Sequence, residues 1–414
     1  VSLLRLALRY LRARTLVTVL TLLSVALGTA LVCGVLTLKR ESEAAFGREA
    51  GLLDLIVGGK GSALQLVLSC LYHLDVPTGN VPYRDYERLS RDPRVSWAAP
   101  IGLGDNYAGY RIVGTERVFF DFPDREGKAF FRIAEGRVFE ADFEVVLGHQ
   151  VAVTTGLRVG DEFAGTHGLV PVPGAEVHGD FPYRVCGILA PTGTTQDRAI
   201  FGTLKSVWEI HETEDRLHSA IQGRATLHRQ QERETTAILL RLETPGLRLW
   251  MADEIRQRSD GIAAIPVNEV LRLYRGVIGP ARQALLAVAG VVVVVSCLAI
   301  LATLLQAGER RRRDVAILRT LGATRYEIAT LLFLEGLLLT LAGLALGFLL
   351  GHGGLALVGG WVREASGFLL HPWSIDREEI EALLVIALCG TIASLVPAAR
   401  AYRSTPLDDL GLGE

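Results

Sequence analysis

The sequence predicts an integral membrane protein of four transmembrane helices, with a large extracytoplasmic α/β domain between the first and the second. Three observations carry this expectation. Four stretches are nearly free of charge, and each can cross a hydrocarbon core of roughly 30 Å as a helix of about 20 residues. Residues 39–280 have instead the mixed composition of a soluble domain. Arginines gather in the short segments on one side of the apolar stretches, and acids on the other. Bulk composition decides less: the 414 residues are 50% hydrophobic, with mean hydropathy +0.31. A formal net charge of −2 leaves no basic footprint for nucleic acid.

In residues 1–14, Leu3, Leu4, Leu6, Ala7, Leu8 and Leu11 interleave with Arg5, Arg9 and Arg12, and Arg14 follows. This pattern predicts a basic amphipathic helix lying on the lipids of the inner leaflet. The first span, 15–38, has no charged residue. It is too long for a signal peptide and no small-x-small site follows it, so it reads as an uncleaved anchor. The second span, 281–308, contains the run Val291 to Val295; the third, 328–357, is interrupted by Glu335; the fourth, 381–402, holds Pro397. The 309–327 loop carries Arg310, Arg311, Arg312, Arg313, Arg319 and Arg325; Arg400 lies at the end of the fourth span and Arg403 opens the 403–414 tail. The 358–380 loop has Arg363 and Arg377 against Glu364, Asp376, Glu378 and Glu379. Both termini and the 309–327 loop are therefore expected on the cytoplasmic side of a bacterial inner membrane.

Within 39–280, strands are expected at Asp54 to Gly59, Val95 to Ala99, Tyr110 to Val113, Ala237 to Leu242 and Ile262 to Val267, with helices at Tyr83 to Arg91 and Leu247 to Arg258. The last run is a β-α-β unit, so the flanking halves build a mixed α/β subdomain. Short strands rich in Gly and Pro between about 130 and 235 suggest an inserted, mainly β subdomain.

Chemistry-bearing motifs are scarce. Gly58-Gly59-Lys60-Gly61-Ser62 resembles a phosphate loop, but Asp54 stands five residues before Gly59 and Gly61 follows the lysine where Ser or Thr must meet magnesium. His149, His167, His178, His211 and His218 show no i, i+4 pair and no Cys-x-x-Cys, so no metal ligands are assigned. No nucleophile elbow occurs, and no catalytic residue or chain-bound cofactor is expected. Cys33, Cys297 and Cys389 fall in the apolar stretches; Cys70 and Cys186 are either bridged in an oxidising compartment or free buried thiols.

The most informative stretch runs from Glu309 to Arg325. It reads as a short helix with Val315, Ile317, Leu318 and Leu321 apolar, ended by Gly322 and held near anionic headgroups by its arginines. An apolar patch on so short a loop needs the membrane surface or a partner protein as cover. The pattern R-R-x-D-x-A-I-L-R-x-L-G-A-T, followed by Tyr326-Glu327-Ile328, resembles the permease subunits of the macrolide-exporter, lipoprotein-release and cell-division groups of ABC transporters. Leu3 to Gly28, Val146-Leu147-Gly148 with Gly156 to Asp161, and Pro397 to Ala401 with Pro406 are similar to further phrases of that family. The resemblance implies a coupling helix that docks on a separate ATPase, with Arg313, Asp314, Ile317, Leu318, Arg319, Leu321, Gly322 and Ala323 in that role. ATP and magnesium would bind that partner. The resemblance also implies a dimer, homomeric or with a paralogous permease, that transmits ATP-driven closure to its external domain.

Glu335 is an acid about two turns into the third span, costly there unless paired. By resemblance its partner is an arginine of the coupling region or of the N-terminal helix; a local hydrogen bond near the headgroups is the other reading. Gly343, Gly347 and Gly351 repeat every fourth residue and let a helix approach closely, within the subunit or across a dimer. The leading expectation is a permease for export or for handling envelope lipids or lipoproteins. The competing one is a mechanical regulator that activates an extracytoplasmic protein such as a cell-wall hydrolase without transport.

Overall fold

The computed structural model describes residues 3–123, 127–169, 180–221, 233–259, 261–310, 312–366 and 370–403. The chain divides into two compact units, 1–42 with 277–360 and 370–414, and 43–276 with 361–369. Helix α1 (Leu3–Ala13) exposes Arg5, Arg9 and Arg12 and buries Ala7. Helix α2 (Thr15–Ala50) has 36 residues. At 1.5 Å per residue it is about 54 Å long, well beyond one hydrocarbon core. The membrane-crossing part is complete near Leu38, where Lys39, Arg40 and Glu41 begin, and the helix runs on unbroken into the second unit.

The external domain follows, with β1 (Leu55–Gly59), α3 (Ala63–Cys70), β2 (Val81–Pro82), α4 (Tyr83–Ser90), β3 (Val95–Tyr107), β4 (Tyr110–Thr115), β5 (Ile133–Gly136), β6 (Glu144–Leu147), α5 (His149–Thr155), β7 (Glu162–Phe163), β8 (Thr166–His167), β9 (Tyr183–Leu189), β10 (Ala199–Thr203), α6 (Leu204–Ile221), β11 (Glu234–Thr235), β12 (Ala237–Leu242), α7 (Arg248–Arg258), β13 (Gly261–Ala264) and α8 (Pro266–Leu273). Its main sheet runs β13-β1-β12-β3-β4-β10-β6-β9-β5. Strands β12 and β13 both lie antiparallel to β1 between them, so the expected β-α-β unit is a split one. Both parts of the domain, mixed and mainly β, share this one sheet through the β4–β10 pairing.

Two strand boundaries differ from expectation. The strand expected at Val95 to Ala99 continues to Tyr107. The strand expected to reach Val267 stops at Ala264, because Pro266 opens α8 and its ring suits the first helical turn. The core beneath the sheet is aromatic: Phe119 stacks on Phe131 at 4.8 Å and lies 5.1 Å from Phe201, while Trp97 donates from Nε1 to Val118 O at 2.9 Å. The last turns of α2 enter this core, with Ala45 and Ala50 buried in it and the ring of Phe46 4.9 Å from that of Tyr72.

A π-helical turn (Tyr274–Ile278) leads into α9 (Gly279–Arg310). Then come α10 (Arg312–Thr320), α11 (Arg325–Ser366) and α12 (Arg377–Arg403). Among the described residues, four helices are long and apolar enough to cross a membrane, and they contain the four expected spans. In the first unit the start of α12 and the segment before it are tied to α2. Glu378 pairs with Lys39 at 2.9 Å, Arg40 donates to Ser374 Oγ at 2.6 Å, and His371 N donates to Glu41 Oε2 at 2.9 Å.

Candidate functional site

The site most distinct in shape is the α9–α10–α11 connection. Helix α10 ends in a Schellman motif: Gly322 is left-handed (φ 100°), its N–H donates to Arg319 O at 3.0 Å, and Ala323 N–H donates to Leu318 O at 2.9 Å. Helix α11 begins one residue later with a capping box. Thr324 N donates to Glu327 Oε2 at 2.7 Å, and Glu327 N donates to Thr324 Oγ1 at 3.2 Å. Two interlocked caps with one residue between them leave the elbow little freedom, so α10 is held at a set angle to α11. The Thr-x-x-Glu signature was present in the sequence and was not read there.

On this elbow Ile317 is 50%, Leu321 79% and Tyr326 72% exposed, whereas Leu318 and Arg319 are partly buried. The expected coupling residues thus form one helix and its cap, with Ile317 and Leu321 as the outward apolar pair. Arg313 and Asp314 lie within α10, their side chains outside the described residues, as are Arg311 and the 404–414 tail with Pro406. Arg14 sits between α1 and α2.

Glu335 is buried on α11. The structure places Gly343, Gly347 and Gly351 against α2 of the same chain. A Cβ on Gly343 would meet Val25 Cβ at 2.6 Å, one on Gly347 would meet Ala26 O at 2.5 Å, and one on Gly351 would meet Ala30 O and Cys33 Cβ at 3.0 Å. The phosphate-loop look of 58–62 has a packing cause: a Cβ on Gly59 would strike the backbone of Gly79 at 2.7 Å, and one on Gly61 would strike Thr78 Cβ at 2.7 Å. Ser62 caps α3 by accepting from Gln65 N at 3.3 Å. Cys70 and Cys186 are both free and buried.

Among the external histidines the structure brings together only His167 and His211, their rings 5.5 Å apart, among the described residues. His178 and the side chain of His218 lie outside those residues. Sequence reasoning missed a different group. One ligand atom each from Cys33, His352 and Glu379 lies within 4.8 Å of the others, on α2, α11 and α12.

Residues 18–247 match the family of the MacB-like periplasmic core domain, and residues 286–406 that of the FtsX-like permease C-terminal domain. The chain belongs to the MacB- and FtsX-like permease family. Among curated relatives, the macrolide export ATP-binding/permease protein MacB of Nitrosomonas europaea is 22% identical over 94% of this chain and 56% of its own length. The ABC transporter permease YknZ of Bacillus subtilis is 31% identical over 30% of each chain. The chain therefore spans about half or less of the length of these relatives. Among solved structures, the periplasmic region of MacB from Actinobacillus actinomycetemcomitans is similar over 56% of this chain and 98% of that one, with 11% identity and a TM-score of 0.33. Membership in this family agrees with the four apolar helices and with a large extracytoplasmic domain between the first two.

Proposed function

We propose that this chain is the membrane subunit of an ABC transporter whose separate ATPase docks on α10. ATP and magnesium bind that partner, and closure of a dimer of such assemblies moves the external domain for export or for envelope lipid or lipoprotein handling. Both termini and α10 face the cytoplasm in this reading. The observation that carries it is the exposed apolar pair Ile317 and Leu321 on a helix locked between a Schellman motif and a capping box. A rigid elbow transmits a push, and an apolar pair on a short polar loop requires a cover. Two relatives support the reading: YknZ is named an ABC transporter permease, and MacB an ATP-binding/permease protein.

The test is copurification of the tagged full chain in mild detergent with whatever ATPase accompanies it. Ile317→Asp with Leu321→Asp should abolish that association while leaving the chain monodisperse, because Leu318, which is partly buried, stays in place. Association that survives both substitutions would remove α10 from the docking role.

A further inference from the structure

The Cys33, His352 and Glu379 cluster lies wholly within the first unit and is deeply buried, at 1%, 0% and 1% exposure. Packing brings it together. The Gly343, Gly347 and Gly351 stripe seats α11 on α2, with Gly351 against Cys33 and His352 next in sequence. Glu379 comes from the first turn of α12. The imidazole of His352 is lined by Phe348 and Trp373, ring centroids 4.2 and 5.9 Å away.

Three groups that can each give a ligand atom meet here, and their polar contacts leave room for a cation. His352 Nδ1 faces the carbonyl oxygen of Pro372, which can only accept, so Nδ1 carries the proton. In the neutral ring, Nε2 then offers a lone pair, and it points at Glu379 Oε1 from 2.6 Å. Two acceptors at that distance repel unless a positive centre lies at them. A shared proton would answer this one contact. It would leave Glu379 Oε2 without a partner at ordinary hydrogen-bond distance, facing only the weak S–H donor of Cys33, whose sulfur lies beside the carboxylate.

We propose that Cys33, His352 and Glu379 bind a divalent transition-metal cation of the zinc type. The donor set is sulfur, nitrogen and oxygen, which suits zinc and disfavours magnesium and calcium. A thiolate, a carboxylate and a neutral imidazole sum to two negative charges, so a divalent cation leaves a buried site neutral. The Nδ1–H to Pro372 carbonyl bond is the outer contact that orients a ligating histidine. Tetrahedral ligands at zinc distances stand about 3.3 to 3.7 Å apart, so binding opens the 2.6 Å contact by a small carboxylate movement. With no fourth protein donor gathered there among the described residues, the remaining position is left to water or a small ligand. The site ties α2 to α11 and α12, and it stands independently of the ATPase reading.

The experiment uses the full chain in detergent, purified through a tag without histidines, stripped with chelator and titrated with Co²⁺. The expected result is one tight equivalent per chain, with visible bands of four-coordinate cobalt and a thiolate-to-cobalt charge-transfer band in the near ultraviolet. Cys33→Ser should remove the charge-transfer band, and His352→Ala with Glu379→Gln should weaken binding by at least about 100-fold. Wild-type protein that binds no cobalt, or binds it without the thiolate band, overturns the proposal whether or not the variants fold. So does a double variant that binds as the wild type does.

Discussion

Gly347→Leu is expected to disrupt the seating of α11 on α2 and to lower the stability of the membrane unit by about 3 kcal/mol or more. The physical reason is the identity of the neighbour. The first atom met by a Cβ at Gly347 is the carbonyl oxygen of Ala26, 2.5 Å away, with Thr29 Cβ at the same distance. Neither can rotate aside, since one is helix backbone and the other a Cβ fixed to its own helix. In the interior of a span the hydrophobic effect does not drive helices together, so close approach is itself the source of the packing energy. A loss of this size is about a hundredfold in the ratio of folded to unfolded chain. Gly354 on the same helix is the control, because a Cβ there meets nothing within 4 Å. Thermal midpoints of the full chain in detergent, followed by size exclusion, should fall sharply for Gly347→Leu and hold for Gly354→Leu. Equal midpoints for the two would mean that α2 and α11 do not pack through this stripe.

The same stripe marks how far the sequence could be read. Glycines every fourth residue in a span announce a close neighbour but not which one, because the pattern fixes a face and says nothing of what lies on it. The spans themselves were legible, since about 20 uncharged residues have few other uses. The continuation of α2 to Ala50 was not, because Lys39, Arg40 and Glu41 mark the end of the apolar run without breaking the helix. In β3, Pro100, Gly102 and Gly104 follow the expected strand end at Ala99, and residues of these types usually weaken a strand. In the fold Gly102 instead makes room for α6, where a Cβ would stand 2.7 Å from Leu204 Cδ1, so the strand passes through unbroken. The α10 helix was legible from its charge and apolar pattern, while the division of labour between Ile317 and Leu318 needed coordinates. Cys33, His352 and Glu379 were opaque for a simpler reason. They come from three stretches far apart in sequence, and only three packed helices make them neighbours. The one available signal was a histidine within a predicted span, where a polar side chain asks for a partner.

Glu49→Gln is expected to make the stability of the external domain depend on pH in a way the wild type does not. Glu49 lies beyond the membrane-crossing part of α2, in the last turn before Ala50, and is fully buried. Thr195 Oγ1 is 2.6 Å from its Oε1, and Gln196 Nε2 donates to the same oxygen at 3.0 Å and to Leu71 O at 2.9 Å. Burial outweighs these bonds and pushes the Glu49 carboxyl up from 4.5 to about 7. The folded domain therefore holds a proton that the unfolded chain has lost. Stability from this group is complete below pH 4.5 and declines until about pH 7, by about 3 kcal/mol in all. His73 works against it. Its Nε2 lies 3.3 Å from Gln196 Oε1, and burial pulls its imidazole down from 6.5 to about 4. That contribution is present above pH 6.5 and is lost as pH falls towards 4. From about 4.5 to 6.5 the two slopes oppose each other through one shared glutamine, and the wild-type profile is nearly level. Glutamine at 49 keeps an acceptor for Thr195 and Gln196 but cannot ionise, so the variant shows the His73 slope alone. Amide protection of residues 194–198 in the full chain, corrected for intrinsic exchange, should match the wild type near pH 4.5. It should exceed it by about two orders of magnitude at pH 7.5. A constant offset across that range would mean that Glu49 titrates as an ordinary carboxyl. The same residue anchors the last turn of α2 in the core of the external domain, through Thr195 and Gln196.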